Sequence, residues 1–152
     1  MLVSAPAALR AGLPIADYFI WNDDFDFSTR VLRGRPGMFV PASVVVHKTK
    51  ALGSTDVDPG PRFYYEVRNK LWLFLRSRGL SLLEKAVYGA STVVRWARTI
   101  ARSADRRALL AQLPKAVTDG LRPPRPNVEV LAGLGAGSAA VTEFERLRAL
   151  HG

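Results

Sequence analysis

The chain contains no cysteine. Disulfides, thiolate metal sites and cysteine nucleophiles are excluded with it, and the absence fits a reducing compartment. Histidine is nearly absent too: His47 and His151 are the only two. No apolar run approaches the ~18 residues that mark a membrane-spanning helix. The opening Met1-Leu2-Val3-Ser4-Ala5-Pro6 lacks a charged region followed by an apolar core, so no signal peptide is expected. There is no internal repeat. The small-residue run Ala132-Gly133-Leu134-Gly135-Ala136-Gly137-Ser138 has no following Lys and no preceding strand, so it is not a phosphate loop. Acid is scarce: 13 Asp and Glu stand against 22 Lys and Arg, a net charge of +9.

What is present is enough for one folded domain: 152 residues, 48% hydrophobic and 23% charged. The charge is unevenly spread. Residues 1–60 carry six basic and six acidic side chains, residues 61–126 fourteen and four, and residues 127–152 two and three. A neutral front and a near-neutral tail thus flank a strongly basic middle, which suggests an anionic partner, either nucleic acid or a lipid surface. No nucleic-acid motif accompanies that charge, so no specific nucleic-acid partner is expected.

Local patterns place the elements. Residues 1–4 read as a short apolar strand, 6–11 as a helical turn with Pro6 near its start, and 18–21 as an extended aromatic run. Asp23–Leu32 reads as a short helix, with Phe27, Val31 and Leu32 at helical spacing, closed by Gly34. The β-branched and aromatic runs 38–40 and 43–46 read as two strands, and 48–61 as a Gly/Pro-rich loop. A helix is expected over 62–78. A second opens at Ser81 with Glu84 three residues on, a capping-box pattern, and runs to about Arg102. Ser103 or Asp105 opens a third, interrupted by Pro114 and ending near Gly120. Arg122-Pro123-Pro124-Arg125-Pro126 must be extended. A linker over 132–138 and a short helix over 141–150 close the chain.

The segment that carries chemistry is Phe19-Ile20-Trp21-Asn22-Asp23-Asp24-Phe25-Asp26-Phe27-Ser28-Thr29-Arg30. Three acids in four positions at a helix start have a plain reading as helix-dipole partners. That reading explains one acid better than three, and leaves Trp21, Phe25 and Phe27 unexplained. Apolar neighbours would raise a carboxylate toward a general base's range, while the helix N-terminus would lower it; the pattern leaves both readings open. His47, at the end of Val44-Val45-Val46, is either a half-exposed imidazole beside a loop or a group facing a cleft.

These residues resemble the acid-acid motif of inverting family-2 glycosyltransferases of the GT-A fold. There, an apolar approach leads to two adjacent acids, a further acid two residues on, and an Arg, here Asp23, Asp24, Asp26 and Arg30. His47, 23 residues after Asp24, matches the family's metal-binding His, and Tyr64, Tyr65, Arg68, Asn69 and Lys70 are similar to its Tyr/Asn helix. The group most resembled is the actinobacterial galactofuranosyltransferases of cell-wall galactan synthesis. The resemblance implies Asp24 as general base on an acceptor hydroxyl and Asp23 as a positioning neighbour. It makes Trp21 the acceptor-sugar platform, and gives His47 a divalent metal (Mn2+ or Mg2+) that stabilises the departing diphosphate. Asp26 and Arg30, four apart, would pair as structural support.

The resemblance covers roughly residues 1–80, and the family's nucleotide-binding half has no counterpart here. Asp56-Val57-Asp58 follows His47 within a Gly/Pro loop and reads as a turn. The expected fold is therefore α/β, a partial GT-A sheet followed by C-terminal helices. Residues 1–60 would be the acceptor-side half of a catalytic domain, 61–126 a basic helical region, and 127–152 a flexible linker and terminal helix. The expected function is part of a glycosyltransferase, inactive alone. It would move a sugar (galactofuranose on resemblance alone) from a UDP-sugar to a glycan or polyprenyl-linked acceptor. The expected location is cytoplasmic, at the inner face of the cell membrane, with peripheral contact through the basic helix near Trp96; the same helix reads equally well as one packed on the core with its arginines on the solvated face. The alternative is a non-catalytic basic helical module that binds anionic membrane or polymer.

Overall fold

The computed structural model describes residues 1–46, 48 and 58–151. The regular elements among these residues are α1 (Ala5–Ala11), α2 (Asp23–Leu32), α3 (Phe63–Arg76), α4 (Leu82–Arg102), α5 (Arg106–Leu121), α6 (Asn127–Val130) and α7 (Ala136–His151), with 3-10 turns at Ala16–Tyr18 and Gly60–Arg62. No strand occurs among the described residues. This corrects the expected α/β class: there is no partial GT-A sheet. Residues 1–4, 38–40 and 43–46 form no ladder, and Val44, Val45 and Val46 stand 80%, 84% and 77% exposed. β-branched side chains favour a strand only where a neighbouring strand supplies hydrogen bonds and a face to pack on, and here none does.

The centre of the molecule is α3. One stripe, Phe63 and Val67 with Leu71 beyond, faces α5, where Leu109 and Ala116 complete the buried cluster. The two helices approach closely at the end of α5. A Cβ on Gly120 would lie 2.6 Å from Leu71 Cδ1 and 3.2 Å from the Arg68 carbonyl. Trp96 and Ile100 of α4 cover the same cluster from a third side. The other stripe of α3, Arg68, Asn69, Trp72 and Leu73, is buried too, turned toward the segment before α2.

The caps explain where the helices begin. Ser81 forms the expected capping box, accepting from the Glu84 amide while the Glu84 carboxylate accepts from the Ser81 amide at 2.7 Å. Asp105 caps α5 by accepting from the Ala108 amide at 2.9 Å. Asp58 joins the Gly60 turn to that junction, accepting from Ser103 Oγ and from the Ala104 amide at 3.1 Å. α5 runs through Pro114 rather than breaking there. Proline removes one amide, and the carbonyl it would have served, on Leu110, belongs to a half-exposed residue within reach of water.

The proline-rich residues 122–126 are extended, as their composition requires. They return the chain to its start. The Trp72 indole donates to the Arg122 carbonyl at 2.8 Å, and Arg125 pairs with Asp17 at 2.8 Å. Asn127 accepts from the Ala16 amide and donates to the Pro14 carbonyl. The expected linker is shorter than its composition suggested, because α7 already begins at Ala136, and α7 packs back on α1. Among the described residues no helix is long and apolar enough to cross a membrane.

Candidate functional site

The segment leading into α2 is the least relaxed backbone described. Phe19, Trp21 and Asn22 all have positive φ, at 65°, 60° and 68°. Asn tolerates this region, but Phe19 and Trp21 each cost about 1–2 kcal/mol, so neighbouring groups must hold the turn. Asn69 of α3 does this. Its side-chain amide lies 3.0, 2.6 and 3.1 Å from the carbonyl oxygens of Tyr18, Ile20 and Trp21. Arg68 adds a second clamp, donating to the carbonyls of Asp17 and Tyr18 at 2.7 and 3.1 Å and to Asn69 Oδ1 at 3.0 Å.

Arg68 is 8% exposed and has no carboxylate partner among the described residues. Its charge is balanced by carbonyl oxygens and by ring faces, with Trp72 4.3 Å, Tyr65 5.0 Å and Tyr64 5.3 Å from the guanidinium carbon. The Tyr18 ring meets Trp72 edge-on at 5.5 Å. Burial pushes the Tyr18 phenol well above its ordinary range, and the Asp26 carboxylate pushes the same way, so it stays protonated.

This clamp fixes where α2 starts and hence where its acids sit. The Asp26 amide donates to the Asn22 carbonyl at 2.8 Å as the first helical bond. Asp23 is half-buried and Asp24 is exposed. One oxygen of Asp24 accepts from the Phe25 amide at 2.7 Å. The aromatic crowding expected around these acids is looser than the letters suggest, since Phe25 is 42% exposed. Asp26 is the buried acid. Its Oδ2 accepts from Arg30 Nε at 2.9 Å, and Arg30 also donates to the carbonyls of Ala11 and Leu13. The pair ties α2 to the end of α1.

Trp21 lines a cavity of about 780 Å³ between the turn, α3 and α4. Trp96 stands in the same cavity, and Lys70, Arg95, Arg98 and Arg102 make it basic. Glu66 holds the near wall, accepting from Arg95 at 2.7 Å and from the Trp96 indole at 3.3 Å. Burial pushes the Lys70 ammonium below its ordinary range, with Arg95 adding to the effect and Glu66 opposing it. Trp96, Lys70 and Arg95 were not singled out as site residues from the sequence. The signal that could have found them is the placement of Lys70 on α3 and of Arg95, Trp96, Arg98 and Arg102 within eight residues of α4.

His47, the residue expected to bind a metal, lies outside the described residues, as does Asp56 of the Asp56-Val57-Asp58 run. Asp58 is engaged at the α4–α5 junction. No group of three or more carboxylate or imidazole side chains that could hold a metal comes together among the described residues.

Comparison with protein-family models, with curated proteins and with solved structures gives no match.

On its outer side α4 is a different kind of surface. At 100° per residue, Leu82, Leu83, Ala86, Val87, Val93 and Val94 fall within a sector of roughly 140°. These residues are exposed, Leu82 at 85% and Leu83 at 74%. Arg98, just beyond the edge of that sector, and Arg102, farther round, also line the Trp21 cavity.

Proposed function

We propose that the chain supplies the acceptor side of an inverting glycosyl transfer from a UDP-sugar to a glycan or polyprenyl-linked acceptor. One observation carries this reading: Arg68 and Asn69 hold a strained turn that starts α2 beside a two-tryptophan cavity, with Asp24 exposed at the head of α2 and one of its oxygens unengaged. Residues with a Cβ held at positive φ cluster at functional sites, and a relaxed Ser or Asp would cap a helix without that strain.

In this reading an acceptor sugar stacks on Trp21, with Trp96 across the cavity. Asp24 Oδ1 is engaged by the Phe25 amide, so Oδ2 takes the proton of the acceptor hydroxyl. The hydroxyl oxygen bonds to the anomeric carbon as the bond from that carbon to the diphosphate oxygen breaks, and configuration inverts. UDP leaves with the bond's electron pair. Asp23 orients the acceptor, and Asp26 with Arg30 holds the helix that carries the base.

The exposed apolar sector of α4, edged by arginine, supports peripheral contact with an anionic membrane. It also favours a second reading, a non-catalytic helical module that binds such a surface. The two differ at Trp21. Titration of the chain with an oligosaccharide acceptor, followed by tryptophan fluorescence, should give a saturable change that Trp21→Ala removes. An identical titration curve for Trp21→Ala would leave only the second reading.

A further inference from the structure

Residues 38–46, which follow α2, carry no charge, and six of the nine are large and apolar. All six are exposed: Met38, Phe39, Val40, Val44, Val45 and Val46. A turn closed by the Ser43 amide on the Val40 carbonyl at 3.0 Å joins the two apolar limbs. Single exposed apolar side chains are ordinary, but a run of this size marks a surface that meets something.

The run does not stand alone. It leaves the end of α2, where a Cβ on Gly37 would lie 2.6 Å from Leu32 Cδ2. The same end of α2 meets the start of α4. Arg33 donates to Glu84 Oε2 at 2.9 Å, and a Cβ on Gly79 would lie 2.9 Å from the Arg30 amide nitrogen. Leu82 and Leu83, the most exposed apolar residues of α4, immediately precede Glu84. The loop and the outer face of α4 thus emerge from one end of the molecule.

That end is basic. No acid occurs from residue 27 to 48, a stretch that holds Arg30, Arg33, Arg35 and Lys48. Around the start of α4 the acid is Glu84, already engaged by Arg33 and by the Ser81 amide. Arg35, Arg78 and Lys85 have no carboxylate partner among the described residues. A second copy docked here would set these cations against their own counterparts, whereas an anionic bilayer attracts them. The apolar side chains also protrude: Met38, Phe39 and Leu82 are 88%, 87% and 85% exposed. Side chains that protrude this far sink into fluid lipid without needing a matching pocket, and at headgroup depth water still serves the loop's backbone.

We propose that residues 38–46 insert into an anionic membrane beside the start of α4, so that loop and helix bind lipid as one footprint. The inference deepens the membrane contact given to α4 above and rests on it. It adds a second anchor from a different part of the chain.

Sedimentation of the whole chain with vesicles tests it. Binding to phosphatidylglycerol vesicles should exceed binding to phosphatidylcholine vesicles at least tenfold. Met38→Ser with Phe39→Ser changes two unpacked side chains. It should weaken phosphatidylglycerol binding at least tenfold and leave the thermal midpoint unchanged. Phe39→Trp should add emission that shifts to the blue on these vesicles and is quenched by brominated lipid. Unchanged binding by the double variant, with Leu83→Ser and Val87→Ser still weakening it, would overturn insertion of the loop and leave the contact through α4. No binding by the parent chain would overturn both. A dimer in solution that Met38→Ser with Phe39→Ser dissociates would make a second copy the occupant and overturn the proposal.

Discussion

α3 and α4 are consecutive basic helices that spend their side chains in opposite ways. α3, 14 residues long, buries Phe63, Val67, Arg68, Asn69, Trp72 and Leu73. α4, half as long again at 21 residues, buries Thr92 alone and keeps Leu82, Leu83, Val87 and Val93 in solvent. α3 even takes a cation and an amide out of water, which costs several kcal/mol unless both are fully satisfied. They are satisfied by the backbone of the turn before α2. The lesson is one of division: α3 uses its polar residues to fix another segment's conformation, while α4 packs Trp96 and Ile100 on the core and leaves its outer apolar row in solvent.

If that division is right, substitutions in the two helices should fall far apart in effect. The largest loss is expected at Asn69. Asn69→Ala leaves the carbonyls of Ile20 and Trp21 without this donor and frees the positive-φ turn. Unfolding in urea should show a loss of about 3 kcal/mol. A loss below about 0.5 kcal/mol, the size expected of an ordinary surface change, would mean that the turn holds itself.

A smaller effect should come from the contact that ties the same turn to residues 122–126. Burial alone would raise the Asp17 pKa, but the hydrogen bonds and charge of Arg125 outweigh it and bring it below its ordinary 3.8. A carboxylate whose folded pKa is depressed stabilises the fold above its unfolded pKa, and that contribution fades as pH falls from there through the folded value. Thermal midpoints should therefore drop below about pH 4, and Arg125→Ala should flatten the drop. An equally steep drop in the variant would remove Arg125 as its cause.

The smallest stability effect is expected on the outer face of α4. Leu83→Ser with Val87→Ser should change unfolding by no more than about 0.5 kcal/mol, because neither side chain is packed. The same pair should weaken sedimentation with phosphatidylglycerol vesicles at least tenfold. Clear destabilisation with unchanged vesicle binding would erase the contrast between the helices.

How far the sequence reveals this depends on the range of the interaction. The bounds of α2, the Ser81–Glu84 capping box and the pairing of Asp26 with Arg30 are all legible, because each is decided within four residues. The strands expected at 1–4, 38–40 and 43–46 are not there: their β-branched runs signal a preference that only a partner strand can realise. The left-handed turn was hidden for the converse reason. Phe19 and Trp21 give no local hint of positive φ, since it is imposed by Asn69 from 48 to 51 residues away. The Tyr64, Tyr65, Arg68 and Asn69 pattern was visible in the sequence, but not its use as a clamp. Arg98 and Arg102 could be seen as basic residues of an interfacial helix, but not as a wall shared with the Trp21 cavity.

The central claim is that the clamped turn exists to present Asp24. The most direct test joins this chain to a nucleotide-sugar-binding part in one enzyme and compares Asp24 with Asp24→Asn. The account predicts that sugar transfer is abolished while UDP-sugar binding stays within about twofold, because the exposed carboxylate acts on the acceptor proton alone. Turnover by Asp24→Asn at the parent rate would contradict it.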